Sequence, residues 1–216
     1  MKGKIFNAQE VQAIIAGNKT MFREVVKNAN YDSPVHSYKD WKNNGLYYPI
    51  ATLVDENSTQ TEIQYSFDGI KCPYQVGQKI FCKEGFLQKL GSTQLPSGEH
   101  ETFFTSSAVE YVANGAQERF VNPNAYCSDY WKKRPAQHMK QEHSRLTLLI
   151  KEIRVEKVAE ISEEDAIAEG VMNHLRIVHY NPVEYFRQLW NTTHKKLEGK
   201  FEANPWVWVI HFEVVK

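Results

Sequence analysis

Apolar positions in this chain recur with two periods, and the changes between them mark the predicted elements. In "FNAQEVQAIIAG", Val11, Ile14 and Ile15 form one helical stripe. Asn7 stands as the N-cap, Glu10 three residues on completes a capping box, and Gly17 supplies a left-handed stop. Residues 20–26 then read as extended. Strands are predicted at 47–54 and 61–67, joined by "DENSTQ", at 79–83 after a Pro-Tyr-x-x-Gly turn, and near 108–113. "SRLTLLIKEIRVEKVAEI" is the longest strand-like region, alternating at Leu146, Leu148 and Ile150 and again at Ile153 and Val155. A helix in "ISEEDAIAEGV" starts from Ser162 as N-cap, and a second covers 182–191 with Pro182 in its first turn. "PWVWVIHFEVV" closes the chain as a strand.

Between these elements, 28–45 and 90–101 are polar and turn-rich and read as loops. The segment 114–144 reads as an irregular insertion, basic and aromatic. The order of helix, several strands, two helices and a strand predicts an α+β protein. It favours a small barrel or a curled sheet with flanking helices over a doubly wound sheet. One domain over 1–216 is expected, with loop insertions near 28–45, 90–101 and 114–144.

Composition narrows the function. The chain has 216 residues, 42% apolar and 24% charged, as soluble globular chains do. Lys+Arg and Asp+Glu both number 26, so the net charge is zero. Coating long nucleic acid by bulk charge calls for a basic excess, so any nucleic-acid contact is local or the ligand small. Cys72, Cys82 and Cys127 include no C-x-x-C pair, which argues for buried apolar filler over a disulfide framework or zinc site. No stretch approaches the ~20 apolar residues of a membrane span. The N-terminus "MKGKIFNAQE" lacks an apolar signal core, and a cytoplasmic location is expected. His138 and His143 have no third ligand near them, and neither a metal nor a cofactor is expected. Walker, dinucleotide, nucleophile-elbow and H-E-x-x-H motifs are absent from the sequence.

Five groups are candidates for chemistry. Lys19, two residues past Gly17, is either a solvated, helix-capping cation or, in a pocket, a base or nucleophile. Thr20 and Arg23 add a hydroxyl and a five-donor fork. In an extended segment Lys19, Met21 and Arg23 share one face, with Thr20, Phe22 and Glu24 on the other. Glu163, Glu164 and Asp165 suit a helix start, but Glu169 sits at the helix end, where the dipole disfavours a carboxylate. Glu84 leaves a strand beside Lys83, either as an exposed pair or as a buried acid facing Lys19 or Arg23. In "YWKKRPAQHMKQEHSRL", Trp131, Lys132, Lys133, Arg134, His138 and Arg145 combine aromatic and basic side chains, either to meet stacked bases and phosphates or as a solvated loop with Trp131 packed down. Trp206 and Trp208 in the last strand alternate with apolar residues, which reads as core packing.

"IIAGNKTMFREVVK" resembles the opening of ASCH-domain proteins, where a helix ends in Gly-x-Lys-Thr and runs into a strand holding Thr and Arg. "YQVGQKIFCKEGF" resembles their Gly-Asp-x-(apolar)-x-x-Arg-Glu strand. "RLTLLIKEIRVEKVAEISEEDAIAEGV" is similar to their long strand and following helix. "FRQLWN", "EANPWVWVIHFEVV" and the His138-Met139 pair look like a longer subgroup common in phages and prophages. The resemblance implies a PUA-like fold and a pocket, between first helix and barrel, for a nucleobase or nucleic-acid end. It also implies, from small family members, an amidohydrolase that deacetylates 4-acetylcytidine with a lysine, a threonine and a glutamate. The lysine matches Lys19 and the glutamate Glu169. The family threonine is Phe22 here, and a following arginine is Glu24, which moves weight from hydrolysis to binding. The expected function is therefore binding of RNA, single-stranded nucleic acid or a modified nucleoside. Amidohydrolysis is the alternative, and a phage accessory protein that binds a host protein is a third.

Overall fold

The computed structural model describes residues 1–27, 37–39, 46–54, 60–64, 70–94, 96–98, 100–121, 129–171 and 181–215. In chain order the elements are β1 (Lys2–Ile5), α1 (Ala8–Ile15), β2 (Met21–Val25), β3 (Ser37–Lys39), β4 (Leu46–Val54), β5 (Gln60–Gln64), β6 (Ile70–Lys71) and β7 (Lys79–Lys83). Then follow β8 (Phe86–Gln94), β9 (His100–Tyr111), β10 (Arg119–Val121), β11 (Asp129–Arg134), β12 (Thr147–Lys157), α2 (Glu163–Ala168), α3 (Pro182–Thr193) and β13 (Trp206–Val215). The architecture is α+β, with mixed sheets and few helices. Two compact units divide the chain, the boundary crossing β12 between Leu148 and Leu149.

The first unit holds Met1–Ala16, Lys79–Leu148 and the C-terminal Val214–Lys216. β1 runs parallel to β7. The other sheet, in the order β10-β11-β8-β9, is antiparallel throughout. α1 forms where the capping box predicts: Asn7 Oδ1 accepts from the Glu10 amide (2.9 Å) and Glu10 Oε2 from the Asn7 amide (2.8 Å). Its stripe buries Val11 and Ile14, whereas Ile15 is half exposed.

The segment 90–101, expected as a loop, instead supplies the end of β8 and the start of β9, around a turn whose Gly98 has a left-handed φ of 85°. "GSTQ" carries no apolar alternation, so its strand character comes from pairing with β9. Within 114–144, β10, β11 and two short 3-10 turns replace the expected irregular insertion, and 122–128 lie outside the described residues. Most of 28–45 and part of the predicted 61–67 strand also lie outside them.

Cys82, on β7, is buried. Burial, reinforced by Glu84, pushes its thiol up to about 12. An unfolded cysteine ionises near about 8.5, so between these values the unfolded chain binds fewer protons than the folded one. Stability therefore falls as pH rises through that window. Urea midpoints are expected to drop above about pH 8.5, less so in Cys82→Ala, and iodoacetamide should spare Cys82 in the folded protein. Alkylation of Cys82 as fast as a free thiol would contradict this.

The second unit holds Gly17–Gln78 and Leu149–Glu213. β13 lies between β12 and β2, with β2 antiparallel to it in a register that sets Val209 opposite Arg23. β4 pairs with β3, β5 and β6, all antiparallel. A barrel closes only when its outer strands exchange hydrogen bonds. Among the described residues the strand orders end open, so the expected curled barrel is not what these strands form. α3 is capped by Asn181, whose side chain accepts from the Glu184 amide (3.0 Å), with Pro182 at its first position. Pro182, Phe186 and Trp190 fall at four-residue intervals on its buried face. Phe186 and Trp190 pack with Met21, Val158, Ile161, Ala166, Val171, Val207 and Val209 into one apolar cluster.

Candidate functional site

α2 starts at Ser162, whose Oγ accepts from the Asp165 amide (3.1 Å), and ends at Glu169, after which Gly170 turns with φ 87°. There the chain meets the segment leaving Gly17, which has φ 75°. Lys19 and Glu169 form an isolated antiparallel bridge, and the Thr20 amide donates to the Ala168 carbonyl (2.9 Å). Backbone pairing thus brings together side chains 150 positions apart. Lys19 Nζ donates to Glu169 Oε2 at 2.8 Å and to the Glu169 carbonyl at 2.7 Å. The cation supplies what the helix end lacks, which accounts for an acid at that terminus.

Arg23 extends this contact into a network. Its Nη1 donates to Glu169 Oε1 (3.2 Å), and its Nη2 to Glu156 Oε1 (2.6 Å) and Asp165 Oδ2 (2.7 Å). Arg154 donates to Glu156 Oε2 (3.0 Å), to Asp165 and to the His211 ring Nε2. The three cations Lys19, Arg23 and Arg154 balance the three carboxylates Glu156, Asp165 and Glu169. Burial pulls the Arg23 guanidinium down, but Glu169, Glu156 and Asp165 outweigh it and hold the group above its ordinary value. Phe186 lies 5.6 Å below the guanidinium. The Lys19 side chain is 3% exposed, that of Glu169 7% and that of Arg23 0%. Arg23 is thus committed to carboxylates and turned away from any incoming phosphate.

The remaining residues expected in this pocket lie elsewhere. Thr20 is exposed, and its backbone bridges Ala168 and Phe212. Phe22 is buried on the opposite face of β2, edge-on to Tyr74 (5.5 Å) and tilted against Phe212 (6.0 Å). The alternation of β2 holds, since Lys19, Met21 and Arg23 share a side, with Arg23 Nη1 3.4 Å from Met21 Sδ. Burial, with Glu24 beside it, raises the Tyr74 phenol above its ordinary value. Glu84 is buried, and its partner is Arg145 in a two-pronged contact at 2.8 Å and 2.8 Å, rather than Lys19 or Arg23. Arg145 also lies 4.1 Å over the Tyr111 ring and donates to Asn114 (3.0 Å).

In the first unit the basic–aromatic residues fall on a sheet. Arg119, Trp131 and Lys89 stand directly opposite one another on β10, β11 and β8, and so point to one face. Lys133, two residues along β11, shares that face, while Lys132 and Arg134 alternate to the other. The Arg119 guanidinium sits 5.2 Å from the Trp131 ring centroid. Lys132, Lys133 and His138 are exposed, and His138 contacts Gln137 rather than Trp131.

Sequence reasoning missed Glu156, Arg154 and His211, and it left Asp165 to the helix dipole. Arg154 and Glu156 carried a signal, being charges that alternate with Ile153 and Val155 in the second half of β12. Lys89, Arg119 and Glu110 carried none, because a charge on a solvated strand is ordinary. Among the described residues, no group of three or more His, Cys, Asp or Glu side chains is placed to hold a metal ion. Among them, too, no helix is long and apolar enough to cross a membrane.

Comparison with family models, with curated proteins and with solved structures finds no match to this chain.

Proposed function

We propose that the protein binds nucleic acid or a modified nucleoside through the β10-β11-β8 face of the first unit, and that it is a PUA-like protein of the ASCH type. The observation that carries the binding reading is the row Arg119–Trp131–Lys89 across three adjacent strands, with Lys133 beside it. A tryptophan flanked by cations offers a stacked base and its phosphates what each needs, at no cost in overall charge. The few cations involved suit a short footprint and agree with a net charge of zero. The ordered sequence motifs support the family reading, while the open strand orders among the described residues do not make the barrel that it implies.

The test is fluorescence anisotropy with a labelled single-stranded oligonucleotide of about 12 nucleotides. Trp131→Ala is expected to weaken binding by about 1–3 kcal/mol. Lys133→Ala should flatten the plot of log K against log salt by about 0.7, one phosphate contact, whereas Lys132→Ala on the opposite face should leave the slope in place. Equal effects of the two lysines, or no effect of Trp131→Ala, would count against this face.

A second reading, deacylation of a 4-acetylcytidine-type nucleoside, is favoured by one observation, the 2.8 Å contact of Lys19 with Glu169. Against it stand Phe22 in place of the family hydroxyl and the double occupation of Glu169, one oxygen by Lys19 and the other by Arg23. A proton shuttle needs a lone pair turned to its substrate.

A further inference from the structure

Arg119 does not stop at Trp131. From β10 at one edge of the sheet it reaches Glu110 on β9 at the other, Nη1 donating to Oε2 at 2.7 Å and Nη2 to Oε1 at 2.5 Å. Glu110 is in register with Leu87, which is in register with Lys133, so Glu110 shares the face of Trp131 and Lys133. The guanidinium therefore lies across the tryptophan ring, held at its far end by a carboxylate. It also donates to the Gln117 carbonyl at 3.3 Å. Glu118, just before β10, is engaged differently, accepting from the Lys133 amide at 2.8 Å and interacting with Tyr130.

Three features suit this pair to a reversible contact more than to a structural brace. The side chains are 46% and 35% exposed, so the pair contributes little to folding. Two parallel N–H···O bonds are also the geometry in which a guanidinium grips a phosphate. And breaking the pair frees both halves of the proposed site at once, the cation for a phosphate and the indole for a base.

Resting on the nucleic-acid reading, we infer that Glu110 is an internal stand-in for phosphate: it holds Arg119 over Trp131 in the free protein, and a nucleic-acid phosphate displaces it on binding, exposing the indole for stacking. The pair holds itself electrostatically as well: hydrogen bonding to Arg119 keeps the Glu110 carboxyl below its ordinary range, and Glu110 keeps the Arg119 guanidinium above its own.

The test compares Glu110→Gln with Glu118→Gln, which removes the same charge beside the same sheet and leaves the Arg119–Glu110 pair in place. Glu110→Gln should bind a single-stranded oligouridylate of about 12 nucleotides about two- to fivefold more tightly than Glu118→Gln. Without any ligand, acrylamide quenching of Trp131, read against a Trp131→Phe background, should increase in Glu110→Gln and stay unchanged in Glu118→Gln. Equal affinities, or equal quenching, would overturn the closure while leaving the binding face in place. Oligonucleotide binding by none of the proteins would remove the nucleic-acid reading itself, and the closure with it.

Discussion

Replacing Arg23 with methionine is expected to cost about 3–5 kcal/mol of folding stability. The guanidinium is fully enclosed, and it faces Glu169 (3.2 Å), Glu156 (2.6 Å) and Asp165 (2.7 Å). Methionine fills much of the same volume, so packing against Phe186 largely survives and cavity formation is a minor part of the loss. What remains, among the described residues, is three carboxylates with two cations, Lys19 on Glu169 and Arg154 on Glu156 and Asp165. Breaking a buried pair is costly because the partner charge stays behind, even where the intact pair adds little net stability. Arg23→Lys keeps the charge but loses the fork, and an ammonium cannot reach all three acids in the same geometry. It should fall between wild type and Arg23→Met. Urea denaturation followed by circular dichroism measures all three, and a loss below about 1 kcal/mol in Arg23→Met would show that the network is solvated and unimportant to the fold.

The second large effect separates structure from chemistry at Lys19. Lys19→Met strips Glu169 of its ammonium partner and leaves the Glu169 carbonyl without its 2.7 Å donor. Arg23 still holds the other carboxylate oxygen, so the expected loss is about 2 kcal/mol, smaller than at Arg23. Pairing Lys19→Met with Glu169→Leu removes both charges together and should restore part of that stability, because a buried pair exchanged for apolar groups of similar size is often neutral, while Arg23 keeps Glu156 and Asp165 but loses its Glu169 contact. The same proteins answer the hydrolase question. If the pair is catalytic, wild type releases cytidine from 4-acetylcytidine on a chromatogram, and Lys19→Met and Glu169→Gln do not. Should wild type release none, while the double variant recovers stability, the pair is a helix-end clamp and the deacylase reading falls.

The second expectation turns on how a helix end is completed. α2 has six residues and leaves its last carbonyls without helical partners. One of these is answered by the Thr20 amide and another by Lys19 Nζ, both from the segment beyond Gly17. The contact on which catalysis would depend is therefore also the contact that finishes the helix. A stability assay and a turnover assay on the same variants are both needed to tell the two roles apart.

The amino-acid order alone determined the elements whose signals are local. Asn7 with Glu10, Ser162 before three acids, Asn181 before Pro182, and Gly17 and Gly170 at helix ends each act within a few residues, and each lies where its own chemistry demands. Alternation likewise located β12, since one covered face leaves a period of two in the sequence, whereas β7 and β13 were marked by continuous apolar runs, buried on consecutive residues. Tertiary structure alone decided who meets whom. Glu84 went to Arg145, Phe22 to Tyr74 and Phe212, Arg23 to three acids 133 to 146 positions away, and Arg119 across the sheet to Glu110. Strand order and register fix those meetings, and both arise from hydrogen bonds between distant segments that leave no mark on either segment by itself. The physical reason is range: caps, turns and periodicity are short-range and written in neighbouring residues, whereas a charge network is closed by whichever distant strands the backbone brings to its side.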